Sequence, residues 1–134
     1  MLFHGTRTVN VAGILQHSLK LPRQLSNVAI TGAMFGQGIY WADDWKKSAG
    51  YTSADSACWS RGSGKVSNRH LFIIVGDVIA GNLWVAPRYG GYTEPPSGYH
   101  SIFGKMGHSG VQNNEYIVFN PAQINMRYLV EFSI

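Results

Sequence analysis

The feature that most limits the architecture of this chain is its scarcity of helix. Short apolar runs recur all the way to the C-terminus, while helical spacing is confined to two brief stretches before residue 52. A doubly wound sheet needs long helices alternating with its strands, so the pattern favours an α+β domain with a mainly antiparallel sheet. Strands are expected over Met1–Thr6, Ile39–Ala42, His100–Phe103, Glu115–Phe119 and Met126–Ile134. The β-branched stretch from Leu71 to Val85, with Gly76-Asp77 at its centre, reads as one bent strand or two joined ones. Val11, Ile14 and Leu15 share a helical face after the first strand. A second helix is expected to be capped by Asp43 or Asp44 and to run to about Tyr51, because a carboxylate accepts hydrogen bonds from the free N–H groups of a first turn. Between these helices, Pro22, Ser26, Asn27 and the glycines at 32, 36 and 38 mark a loop of about fifteen residues, long enough to suggest a functional role.

With 134 residues, 45% of them apolar and 13% charged, the chain can bury one substantial core, and we expect a single domain spanning 1–134. A formal charge of +4 favours anionic partners without choosing among them. Cys58 is the only cysteine, and no CxxC or HExxH pattern accompanies the five histidines, so neither a disulfide framework nor a bound metal is expected. No signal-peptide core or membrane-spanning run is present, and the expectation is a soluble, intracellular, monomeric domain that does not engage membranes. Arg61, Lys65 and Arg69 read as a solvated basic loop.

The glycine cluster Gly32-Ala33-Met34-Phe35-Gly36-Gln37-Gly38 opens a strand, whereas dinucleotide fingerprints follow a strand and open a helix. A Rossmann site is therefore rejected, and the cluster alone would be a tight turn. Its surroundings point elsewhere. Leu2-Phe3-His4-Gly5-Thr6-Arg7, Met34-Phe35-Gly36-Gln37-Gly38-Ile39-Tyr40-Trp41-Ala42-Asp43 and Asn114-Glu115-Tyr116-Ile117-Val118 resemble, in order, the signatures of the poly(ADP-ribose) polymerase catalytic domain. Asn10 to Leu15, Lys47 to Tyr51, Gly81 to Leu83 and Ala122 to Asn125 also look like family segments, so the resemblance spans essentially the whole chain. Taken singly, His4 reads as a core histidine, Tyr40 and Tyr51 as packing aromatics, Glu115 as an outward residue at a strand start, Ser48 as a neutral helix residue and Lys47 as a solvated charge. Their joint occurrence in family order reverses those readings.

The resemblance implies an ADP-ribosyltransferase fold, in which mainly antiparallel split sheets are joined by two small N-terminal helices. It also implies NAD as substrate, with the family's His, Tyr and Glu falling on His4, Tyr40 and Glu115. In that scheme His4 bonds the adenosine ribose, Gly5 pairs through its backbone with the nicotinamide carboxamide, and Ser48 bonds the same carboxamide. Tyr40 and Tyr51 enclose the nicotinamide ring, at on the order of 1 kcal/mol per aromatic pair. Thr6 and Asn10 are secondary contacts to the adenosine half. Nicotinamide leaves the anomeric carbon through an oxocarbenium-like transition state, and Glu115, bonded to the ribose 2′-OH, stabilises the charge where it develops. Lys47 matches a family lysine near the reacting end, placed to position the acceptor or the growing chain.

The sequence departs from the family at Trp41, where phenylalanine is commoner, at Gln37, where lysine is frequent, and at Gly50, where asparagine is frequent. The chain starts three residues before His4, so a helical regulatory domain is not expected ahead of it. Gly104–Asn113 is short beside the acceptor-shaping loop of longer polymerases. The expected activity is transfer of ADP-ribose from NAD to a protein or nucleic-acid acceptor, with some elongation to poly(ADP-ribose). The rival functions are NAD glycohydrolysis and a catalytically silent module that binds NAD or ADP-ribose.

Overall fold

A computed structural model describes residues 1–25, 33–52 and 70–133 of the chain. Its elements, in chain order, are β1 (Leu2–Thr6), α1 (Thr8–His17), β2 (Ile39–Trp41), α2 (Trp45–Ala49), β3 (His70–Val78), β4 (Leu83–Val85), β5 (Ser101–Gly104), β6 (Glu115–Val118) and β7 (Ile124–Ser133). The strands form two sheets, one ordered β1-β3-β7 and the other β2-β6-β5-β4. All pairings are antiparallel except β4 with β5, so the fold is the expected antiparallel-rich α+β arrangement with few helices. Ser26, Asn27, Gly32, Cys58, Arg61, Lys65 and Arg69 lie outside the described residues. Among the described residues, no helix is long and apolar enough to cross a membrane.

β3 is the central strand of its sheet, and its Leu71, Ile73, Ile74 and Val75 are all buried, which is why it reads as a continuous apolar run rather than an alternating one. Between the sheets, Ile74 meets Leu19, Leu21, Ile39, Trp41 and Val118. Full burial of such side chains contributes roughly 1.5–3 kcal/mol each. Trp41 crosses directly over Gly76, where a Cβ would stand 2.9 Å from the indole edge, and the ladder to β7 shifts register at Val75/Gly76. A second core of Phe35, Ala86, Ile102, Val111 and Ile117 packs on the β2-β6-β5-β4 sheet.

Three local readings need correction. The Leu71–Val85 stretch follows the two-strand alternative, but its strands belong to different sheets and the break is not at Gly76-Asp77. β3 runs through Gly76-Asp77 with a bulge, and the chain turns only at Gly81, whose φ of +60° and the adjacent His100 ring exclude a side chain. Leu15 does not join Val11 in the core but is 60% exposed, because α1 buries only Thr8 and Val11 before ending at His17. α2 stops at Ala49, and Tyr51 follows in a turn whose N–H donates to Ser48 O. Asp44, rather than Asp43, is its cap, accepting from Lys46 N at 2.9 Å.

The two sheets meet along the edges of β1 and β2. Phe3 N–H donates to Ala42 O at 2.8 Å, Ala42 N–H donates to Phe3 O at 2.9 Å, and His4 Nδ1 donates to Tyr40 O at 2.7 Å. This junction joins residues far apart in sequence and sets the walls of a cleft between the sheets.

Candidate active site

In an antiparallel strand a residue sends its N–H and C=O to the same side, and the side alternates along the chain. Phe3 directs both toward Ala42, away from β3, so Gly5 also directs both away from β3, along the edge of β1. They meet no hydrogen-bond partner among the described residues and form a donor–acceptor pair suited to an amide. The glycine itself is required by packing. A Cβ at position 5 would lie 1.8 Å from the backbone oxygen of Ser48, so α2 rests directly on β1 only because no side chain intervenes.

His4 is next to this edge. Because a carbonyl only accepts, the 2.7 Å contact with Tyr40 O assigns the proton to Nδ1. Burial holds the imidazole below its ordinary value, so the ring is neutral at pH 7 and Nε2 is left as an acceptor. The ring leans on Trp41 with centroids 5.4 Å apart. Tyr40 commits its hydroxyl to the backbone of the preceding turn, accepting from Phe35 N–H at 2.9 Å and donating to Gly36 O at 2.7 Å. Burial raises its pKa, opposed by the Phe35 N–H and reinforced by the charge of Glu115, so the group remains a phenol. Residues 33–36 of the glycine cluster therefore form a tight turn that fixes this ring. Gly36 has φ +88°, and a Cβ there would stand 1.8 Å from Tyr92 O.

Glu115 opens β6 and is 2% exposed. Its Oε1 pairs with Lys47 Nζ from α2, while Oε2 is buried without a partner. Buried carboxylate oxygens are ordinarily satisfied, so this one identifies a place for a donor. Ser48 is buried and donates its hydroxyl proton to Phe3 O at 3.0 Å, which leaves the Oγ lone pairs for a ligand N–H. Asn10 Nδ2 on α1 donates to Thr6 Oγ1 at the end of β1, at 3.4 Å.

His4, Gly5, Thr6, Asn10, Tyr40, Lys47, Ser48, Tyr51 and Glu115 all line one cleft of about 430 Å³. The same cleft is lined by Arg7, His17 and Lys20, which the sequence reading missed. Their only signal in the sequence is basic residues at the two ends of α1: Arg7 links β1 to α1 and His17 ends α1, while Lys20 follows the reversal at Ser18, a non-glycine residue with φ +65°. Among the described residues, no group of three or more His, Cys, Asp or Glu is placed to hold a metal ion. The site thus combines an amide-shaped strand edge, a neutral imidazole acceptor, aromatic faces and a buried carboxylate lacking one donor.

Known proteins resemble this chain over nearly its whole length. Residues 1–109 match the poly(ADP-ribose) polymerase catalytic domain family. The chain is 31% identical to poly [ADP-ribose] polymerase 1 of Gallus gallus over 158 positions, which cover 98% of this chain and 14% of that protein. It is 32% identical to poly [ADP-ribose] polymerase 2 of Homo sapiens, covering 98% of this chain and 26% of that one, and 33% identical to poly [ADP-ribose] polymerase 2-B of Oryza sativa, covering 97% and 24%. The chain therefore spans between a seventh and about a quarter of the length of these relatives. Glu115 lies beyond the family-matched stretch but within the reach of alignments that cover nearly the whole chain.

Proposed function

Since this chain belongs to the poly(ADP-ribose) polymerase catalytic-domain family, whose members use NAD as substrate, we propose that it transfers ADP-ribose from NAD to an acceptor and releases nicotinamide. The single observation that carries the reading is the buried, unpartnered Oε2 of Glu115 in the same cleft as the free amide edge of Gly5. The edge accepts the nicotinamide carboxamide as a paired donor and acceptor, Ser48 Oγ takes a further amide hydrogen, and the faces of Tyr40 and Tyr51 hold the ring. At the other end, neutral His4 offers Nε2 to an adenosine-ribose hydroxyl, with Thr6 and Asn10 beside it.

With NAD held in this way, the 2′-OH of the nicotinamide ribose donates to Glu115 Oε2. The bond from the anomeric carbon to nicotinamide breaks, its electron pair leaves with neutral nicotinamide, and an acceptor hydroxyl forms the new bond and releases its proton to solvent. Positive charge develops on the ribose only along this path. The carboxylate therefore binds the transition state better than the ground state, which is the requirement for catalysis. Lys47 keeps the carboxylate turned into the cleft and is placed to meet the acceptor. The intact set of His4, Tyr40 and Glu115 supports elongation to short poly(ADP-ribose) chains, whereas the short Gly104–Asn113 segment limits the contacts that can hold a growing chain.

Incubation with NAD labelled in the adenosine moiety tests the reading. Labelled acceptor accompanied by an equal amount of free nicotinamide is the expected result. Free ADP-ribose with no labelled acceptor would make the protein a glycohydrolase, and bound but unconsumed NAD would make it a silent module.

A further inference from the structure

Glu115 is the first residue of β6 and pairs with Gly104 at the last position of the β5–β6 ladder, so regular strand pairing holds it from one side only. On the other side the chain enters a connecting segment, and its last residue is Asn114. Successive strand side chains leave opposite faces, so while Glu115 enters the cleft, Asn114 turns away from it. Its amide is satisfied twice. Oδ1 accepts from Met106 N–H at 2.9 Å, and Nδ2 donates to Asp43 Oδ2 at 2.9 Å. A backbone N–H can only donate and a carboxylate only accepts, so the orientation of this amide is unambiguous.

The two partners belong to parts of the molecule that matter to the site. Met106 begins the turn closed by its bridge to Val111, in the segment that leads into Glu115. Asp43 stands between β2 and Asp44, the cap of α2, and α2 carries Lys47 back to Glu115. A closed circuit results: Glu115, Asn114, Asp43, α2, Lys47 and again Glu115. Tyr116 OH donates to the same Asp43 oxygen at 3.4 Å, adding a weaker second tie from β6.

Building on the functional reading above, we propose that Asn114 is a positioning residue, which clamps the 105–113 segment and the N-terminal end of α2 to the start of β6 and so fixes the Glu115–Lys47 pair for turnover. It touches no part of the donor cleft, and its effect falls on the geometry of the reacting end rather than on NAD binding. Displacements of about an ångström at a reacting group can cost on the order of a hundredfold in rate, so a clamp of this kind acts chiefly on kcat.

The test uses the chain as it exists, with N114D, N114A and the double variant N114D/D43N. N114D sets two carboxylates against each other. The double variant restores the contact with polarity reversed, because the amide introduced at position 43 donates to the carboxylate introduced at position 114, whose other lone pairs still accept from Met106 N–H. We expect N114D to lower kcat for nicotinamide release about tenfold or more, with KM for NAD and affinity for benzamide within about twofold of wild type. The double variant should return to within about threefold of wild-type kcat. An unchanged kcat in N114D, a parallel loss of kcat and benzamide affinity, or a double variant no better than N114D would each overturn the proposal. Amide exchange at Met106 supplies a readout independent of activity, faster in N114A than in wild type; equal rates would also overturn the clamp. A wild-type protein that releases no nicotinamide would refute the functional reading instead, and amide exchange would then decide the clamp on its own.

Discussion

Gly5→Ala tests the packing that shapes the cleft, and its cost can be worked from the geometry. The added Cβ would lie 1.8 Å from Ser48 O, 2.8 Å from Ser48 C and 3.3 Å from Ser48 Cα. All three are backbone atoms of α2, so no side-chain rotation relieves the clash. To reach ordinary contact α2 has to retreat by about 1.6 Å, and overpacking of this kind costs about 1–3 kcal/mol. For a chain of this size 1 kcal/mol corresponds to roughly 4 °C in Tm, so a fall of roughly 4–12 °C is expected. Gly13→Ala is the matched comparison. It lies in the interior of α1 with nothing within 4 Å of its added Cβ. Replacing a helical glycine there should add about 0.5–1 kcal/mol of stability. Thermal denaturation of the two variants should therefore move in opposite directions. Gly5→Ala should also lose the stabilisation that saturating benzamide confers on the wild type, since Ser48 moves with α2. A Gly5→Ala protein as stable as wild type would refute the close seating of α2 on β1.

Tyr51→Ala should weaken benzamide binding by about 1 kcal/mol or more, whereas Tyr128→Ala, on β7 and away from the cleft, should leave it unchanged in calorimetry. Equal losses would count against the aromatic pocket. Lys47→Met should cost more stability at neutral pH in the wild-type background than with Glu115→Gln already in place, because it strands a buried carboxylate only in the former; denaturant melts of the double-mutant cycle measure the difference. The pH dependence of stability should report His4. Above its ordinary value of 6.5 the imidazole is neutral in both states, while below it the unfolded chain takes up a proton that the buried ring resists. Stability should thus fall as pH drops through that window, and His4→Gln, which can still donate to Tyr40 O, should flatten the slope; an unchanged slope would place the titration elsewhere.

Much of this site was legible in the sequence because its residues fall in short segments of characteristic order. His4-Gly5-Thr6 on β1, Tyr40 on β2, Lys47 and Ser48 on α2 and Glu115 on β6 all line the cleft. The α+β, antiparallel-rich class followed from the missing long helices. What could not be read depends on contacts between distant segments. Strand Leu71–Val85 splits between sheets because His70–Val78 pairs with β1 and β7 while Leu83–Val85 pairs with β5, and nothing in the local pattern distinguishes the two halves. Leu15 follows the helical period yet faces solvent, since periodicity names a face but not what covers it. The resemblance gives Gly5 a backbone role toward the carboxamide, whereas the need for glycine itself comes from the close seating of α2, which only the fold reveals. Asn114 belongs to the segment that carries the resemblance, but no role for it could be read there, because its partners, Asp43 and Met106, are brought to it only by the fold.

The central claim is that Glu115 binds the transition state through charge that the ground state does not require. Glu115→Gln preserves the size of the side chain and removes that charge. NAD affinity, measured by calorimetry, should stay close to that of the wild type, while nicotinamide release should slow by at least about tenfold, corresponding to roughly 1.4 kcal/mol of barrier. A variant that releases nicotinamide at the wild-type rate, or one that loses NAD affinity with no further loss of turnover at saturation, would contradict the account.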